Sequence, residues 1–87
     1  MKRVITKCGH LAYKTSLDEA LKWGGYGICD DCNDFALEGY LVPVLNHWMC
    51  EKCFKEWNDR AKFYAGDVPF EKRTAAYYEH LLPVEGA

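Results

Sequence analysis

Cys29-Asp30-Asp31-Cys32 and Cys50-Glu51-Lys52-Cys53 are two C-x-x-C pairs with 17 residues between them. That spacing is the one used by four-cysteine structural zinc sites. Each C-x-x-C turn sets two sulfurs on one side of a tetrahedral ion, at roughly 2.3 Å from it. Two such turns brought face to face close the coordination shell and leave no position for water or substrate. The spacing therefore predicts one Zn2+ held by Cys29, Cys32, Cys50 and Cys53. A disulfide pair, rubredoxin-like iron and four unrelated thiols are the competing readings. A closed site does no chemistry, so the strongest motif describes architecture.

The chain has 87 residues, one small domain in the size range where a hydrophobic core alone is marginal. A structural zinc contributes roughly 10–16 kcal/mol of apparent binding free energy, which becomes folding free energy where the unfolded chain lacks the site. Five cysteines are an odd number, which disfavours a purely disulfide-paired framework. Met1-Lys2-Arg3 is followed by no continuous apolar run, so neither a signal peptide nor a membrane span is expected. Reduced thiols and a cytoplasmic setting follow.

Outward from the cysteines, the pattern predicts an α+β fold. Tyr40-Leu41-Val42-Pro43-Val44-Leu45 reads as a strand, placed at a sheet edge by Pro43. Asn46-His47 reads as a turn. Phe54, Trp57, Ala61 and Tyr64 recur at helical spacing, predicting a helix that opens at the second cysteine pair and ends near Gly66. Knuckle, hairpin and helix in that order form a treble-clef-like core over residues 28–65. On the N-terminal side, residues 2–8 read as a strand. Ser16 and Glu19 form a capping box for a helix whose stripe is Leu17, Ala20, Leu21 and Trp23. A C-terminal helix over about 67–82 is expected, capped by Asp67, with Pro69 in its first turn. Its buried face is expected to be Phe70, Thr74, Tyr77 or Tyr78, and Leu81. Pro83 stops it, and residues 84–87 read as a loose tail.

Other residues could extend the ligand set. His47 lies three before Cys50, and a Cys29/Cys32/His47/Cys50 site would resemble half of a LIM domain; Glu56 stands where a further cysteine would then be needed. Cys8-Gly9-His10, with His47 or His80, could form a second metal site. A cross-brace needs eight ligands and the chain offers seven, so a buried thiol beside a surface histidine is the plainer reading. Cys8 with His10 could also be a thiolate–base pair, but nothing in the sequence marks an oxyanion hole or pocket. Catalysis is not expected.

Small zinc modules commonly bind nucleic acid through basic residues beside the ligands. Here the first knuckle holds Asp30 and Asp31, with Asp34 following, and these repel phosphate at close range. The formal charge is −2, from 13 acidic and 11 basic residues. A protein partner fits better. Asp30, Asp31 and Asp34, joined by Asp18 and Glu19, are the expected partner-facing carboxylates, and the aromatics suit an interface. A nucleic-acid or transcription-regulatory module, and an adaptor for some other protein, are the alternatives.

Gly39-Tyr40-Leu41-Val42-Pro43-Val44-Leu45-Asn46 and Trp48-Met49-Cys50-Glu51-Lys52-Cys53-Phe54-Lys55-Glu56-Trp57 carry a family resemblance. They resemble small zinc-binding proteins encoded by phages and prophages of Firmicutes. The likeness continues through Asn58–Tyr64 and, more loosely, through Ser16–Leu21 and Pro69-Phe70-Glu71, so that it spans about two-thirds of the chain. Inhibitors of host CRISPR–Cas immunity are among such proteins, and this chain looks like a zinc-containing inhibitor of Cas9, a type II anti-CRISPR. The resemblance implies a bacterial-host cytoplasmic protein that binds Cas9 without catalysis.

Overall fold

The computed structural model describes residues 1–85. Four strands, β1 (Lys2–Ile5), β2 (Leu11–Ser16), β3 (Glu38–Val42) and β4 (His47–Met49), form one antiparallel sheet in sequence order. Three α-helices join it: α1 (Leu17–Lys22), α2 (Glu51–Arg60) and α3 (Val68–Leu81). A 3-10 turn over Ala65–Asp67 precedes α3. The α+β class is as the sequence predicts, and no helix among the described residues is long and apolar enough to cross a membrane.

The sheet is covered on both faces, and alternation along each strand sorts the side chains. Ala12, Val42 and Met49 pack with Cys53, Phe54 and Trp57 of α2 and with Cys29. Tyr13, Leu41 and Trp48 pack on the opposite side with Met1, Leu82 and Ala75 of α3. The register aligns them, with Tyr13 opposite Leu41 and Leu41 opposite Trp48. On the α2 side Tyr40 and Phe54 stack face to face, 4.0 Å between centroids. On the other side the Trp48 indole N–H donates to Thr15 Oγ1 at 2.6 Å. That indole lies over Gly39, where an added Cβ would come within 2.5 Å of Trp48 Cζ2. Any larger residue there would displace the tryptophan.

Several local expectations hold. Ser16 Oγ accepts from the Glu19 N–H at 3.2 Å and the Glu19 carboxylate accepts from the Ser16 N–H at 3.0 Å, a complete capping box. Pro69 sits in the first turn of α3, which stops before Pro83. Other expectations are corrected. The first strand ends at Ile5, and a second strand follows the Thr6–Gly9 turn, so residues 11–16 are sheet rather than connection. β3 lies inside the sheet, and Pro43 stands just beyond its last residue, in the turn where Asn46 takes φ 54°. α2 ends at Arg60, where Ala61 turns extended, so Tyr64 lies outside it and exposed. Asp67 makes no side-chain cap.

The C-terminal helix turns a different face inward. Glu71 and Ala75 are its buried residues, while Phe70, Tyr77 and Leu81 are exposed. The cause is a polar pair. Glu71 Oε2 lies 2.7 Å from His10 Nδ1 and accepts from the Leu11 N–H at 3.0 Å. His10 is therefore buried against the Phe63 ring, 4.8 Å between centroids, and not on the surface. The tail is tied as well. Arg3 N–H donates to the Glu85 carbonyl at 3.1 Å, and Glu85 N–H to that of Met1 at 2.7 Å. Gly86 and Ala87, the end of the expected loose tail, lie outside the described residues.

Candidate metal centre

Cys29 is delivered by a loop that leaves α1 through Gly24 and Gly27, both at positive φ. Ile28 and Phe35 form an isolated antiparallel bridge, which pinches the loop so that Cys29–Asp34 becomes a tight turn. Cys29 N–H donates to the Asp34 carbonyl at 2.9 Å, and Asn33 N–H to that of Cys29 at 2.8 Å, with Asn33 in the left-handed region at φ 64°. Asparagine is one of the few side chains that take this conformation at low cost. The opposite half comes from the β3–β4 hairpin. Cys50 is the N-cap of α2 and Cys53 lies in its first turn, on the face that also buries Phe54 and Trp57.

The four Sγ atoms all lie within 4.8 Å of one another, with Cys32 and Cys50 3.7 Å apart. A regular tetrahedron with bonds of about 2.3 Å has edges of about 3.8 Å, so the donor set fits a thiophilic ion in that geometry. All five cysteines are free thiols in this structure. Cys29 and Cys53 are buried, Cys50 is half-buried and Cys32 reaches the surface. One flank of the centre is packed into the core and the other is open to solvent.

The electrostatics suit anionic sulfur. Burial alone would raise the Cys29 thiol, but the backbone N–H groups of Cys32, Cys50 and Asp31 outweigh it and pull the thiol down to about 7. Burial pushes Cys53 up, and hydrogen bonds from the neighbouring thiols of Cys29, Cys50 and Cys32 push it further. Cys32 also ends above its ordinary value: the Asp34 N–H lowers it, while desolvation and the thiols of Cys29 and Cys50 raise it more. Cys29 is thus the thiol that gives up its proton most readily, while Cys32 and Cys53 hold theirs more tightly. A divalent ion would replace those protons, with the positive end of α2 directed at the sulfurs.

Among the described residues the cluster contains these four cysteines and no histidine. His47 Nδ1 lies 3.3 Å from an Asp31 carboxylate oxygen, out of hydrogen-bond alignment. His10 is engaged by Glu71, and His80 is exposed on α3. Cys8 is half-buried, 3.8 Å from Thr6 Oγ1.

The carboxylates singled out from the sequence separate into two kinds. Asp30 is a structural clamp: its N–H donates to the Trp48 carbonyl at 2.9 Å and its Oδ2 accepts from the Trp48 N–H at 2.8 Å. Glu19 is held by the capping box and by the Met1 ammonium. Asp18, Asp31 and Asp34 are exposed. Sequence reasoning missed the buried Glu71, whose partner is 61 residues away and leaves no local signal. No protein-family model, no curated protein and no solved structure matches this chain, so its reading rests on its own residues.

Proposed function

We propose that this chain is a non-enzymatic protein, built on one structural Zn2+ in a treble-clef-like site, that acts by binding another protein in the cytoplasm of a bacterial host. The observation that carries the reading is the closure of the thiol cluster. Four cysteines supply four ligands, and tetrahedral zinc then keeps no position for water or substrate. The order knuckle, hairpin and helix N-terminus supports the treble-clef description.

The resemblance carried by Gly39–Asn46 and Trp48–Trp57 supplies the partner: Cas9, with the chain as a type II anti-CRISPR that blocks target DNA binding or cleavage. Cas9 holds its guide and target in positively charged channels. A small folded protein with exposed carboxylates such as Asp31 and Asp34 can obstruct such a channel by occupying it. No bond need be made or broken.

The test is a titration of zinc-loaded protein against a Cas9–guide complex. Co-elution on size exclusion and loss of target cleavage at stoichiometric ratio are expected. Undiminished cleavage at excess protein, without co-elution, would overturn Cas9 as the partner. A shift of labelled DNA or RNA by the protein alone, with steep salt dependence, would move the reading to a nucleic-acid module. Elemental analysis finding no zinc in purified protein would remove the metal half.

A further inference from the structure

Charge is segregated along this chain. Residues 17–38 carry six carboxylates and one lysine, a formal −5, against +3 for all the other residues together. Four thiolates around a divalent cation would add −2 beside the same segment. Within this acidic segment lies a run of large apolar side chains that the core does not use. Tyr26 is 77% exposed, Ile28 42%, Phe35 59% and Leu37 67%.

These side chains are not on a floppy loop. Ile28 and Phe35 are bridge partners, which puts them side by side on one face. The Ala36 N–H donates to the Gly27 carbonyl at 2.8 Å, and the Leu17 N–H to that of Leu37 at 2.8 Å. The loop is thus anchored at one end by the cysteines and at the other by α1, with Asp31 and Asp34 at its tip. Exposed apolar area held rigid and ringed by like charge is how an interface is built, with an apolar centre and a charged rim.

Complementarity selects the occupant. Nucleic acid and anionic membrane are both repelled by a net −5 segment. A symmetric pairing of two copies through this face would bring two such segments together and is repelled too. We infer that Tyr26, Ile28, Phe35 and Leu37, rimmed by Asp31 and Asp34, form a docking surface for a protein segment whose apolar side chains are flanked by lysine or arginine. This deepens the protein-binding reading above and rests on it, but it is independent of whether the partner is Cas9.

The experiment uses the zinc-loaded, 15N-labelled chain and a synthetic leucine/lysine amphipathic helix as probe. Saturable chemical-shift changes are expected at residues 26–38, weaker by tenfold or more in the double variant Phe35→Ser, Leu37→Ser. A leucine/glutamate counterpart should not bind, and a lysine/serine peptide of equal charge should bind at least tenfold more weakly than the probe. The double variant should keep its dispersed spectrum and zinc content, since both side chains point to solvent; if it unfolds, Tyr26→Ser replaces it. Shifts confined to α2 or α3, equal binding by the lysine/serine peptide, or undiminished binding by the folded variant would each overturn the inference. A failed Cas9 titration alongside positive mapping would remove only the named partner.

Discussion

Asp30 and Trp48 are joined twice, main chain to main chain at 2.9 Å and Trp48 N–H to carboxylate at 2.8 Å. The pair fastens the first knuckle to the strand that leads into the second, so the two halves of the thiol cluster cannot drift apart independently. Asp30→Ala should leave the Trp48 N–H without its acceptor and destabilise the fold by about 1–3 kcal/mol. Asp30→Asn keeps an acceptor oxygen and should cost less than half as much. Denaturant unfolding of the zinc-loaded variants, with zinc affinity measured by competition, checks both. Equal stability of the alanine variant and the parent would remove the clamp.

Metal removal should have a large effect. With roughly 10–16 kcal/mol of apparent binding free energy available to a structural zinc site, chelation should abolish the cooperative thermal transition of this 87-residue chain. Cys53→Ser should do the same, because its sulfur sits in the first turn of α2 and in the core beside Phe54 and Trp57. Far-UV circular dichroism with and without added zinc reads the outcome. Cobalt substitution should give the absorption of a tetrahedral all-sulfur site in the parent and not in the variant.

Glu71 holds α3 to the start of β2 through His10 and the Leu11 N–H. Glu71→Ala leaves the buried His10 and the part-buried Leu11 N–H without their acceptor and should destabilise by about 1–3 kcal/mol. Glu71→Leu combined with His10→Phe should recover part of that loss, since matched apolar groups need no acceptor. Chemical denaturation of the three proteins would measure it. A neutral Glu71→Ala would mean that solvent reaches His10.

Acid sensitivity has one identifiable contributor. Burial pushes the Glu19 carboxyl up, but the Met1 ammonium and the Ser16 N–H outweigh it and hold the group below its ordinary value. A depressed folded-state pKa contributes stability that is fully present above the unfolded value, about 4.3 for glutamate. It is lost as pH falls through the folded value. The stability gap between the parent chain and Glu19→Gln should therefore be constant near neutrality and shrink on acidification below about pH 4.3. Both proteins should be compared at equal zinc loading, so that proton competition at the cysteines cancels. A gap that widens in acid would reverse the sign of the argument.

The elements written in local sequence were legible: the two knuckles, the Ser16/Glu19 box, the opening of α2 at Cys50 and the halt before Pro83. What escaped was set by partners distant in the chain. β2 buries Ala12 and Tyr13 on opposite faces, so it lacks the two-residue alternation that marks a strand with one wet face. α2 ends at Arg60 because Ala61 turns extended, with no proline or glycine to announce it. The inward face of α3 was misread because a glutamate was not expected to be buried; only contact with His10 makes that position interior. At the thiol cluster the four cysteines could be read from spacing alone, whereas the clamp made by Asp30 could not.

Each outer strand of the sheet has part of its outward backbone engaged. Glu85 bonds along β1, and Asp30 occupies the N–H and carbonyl of Trp48 on β4. A partner that joins by adding a strand needs a free run of such groups. No template is offered at the Arg3 N–H or at Trp48. At those positions a partner would have to be met by side chains, which would tie specificity there to residue identity.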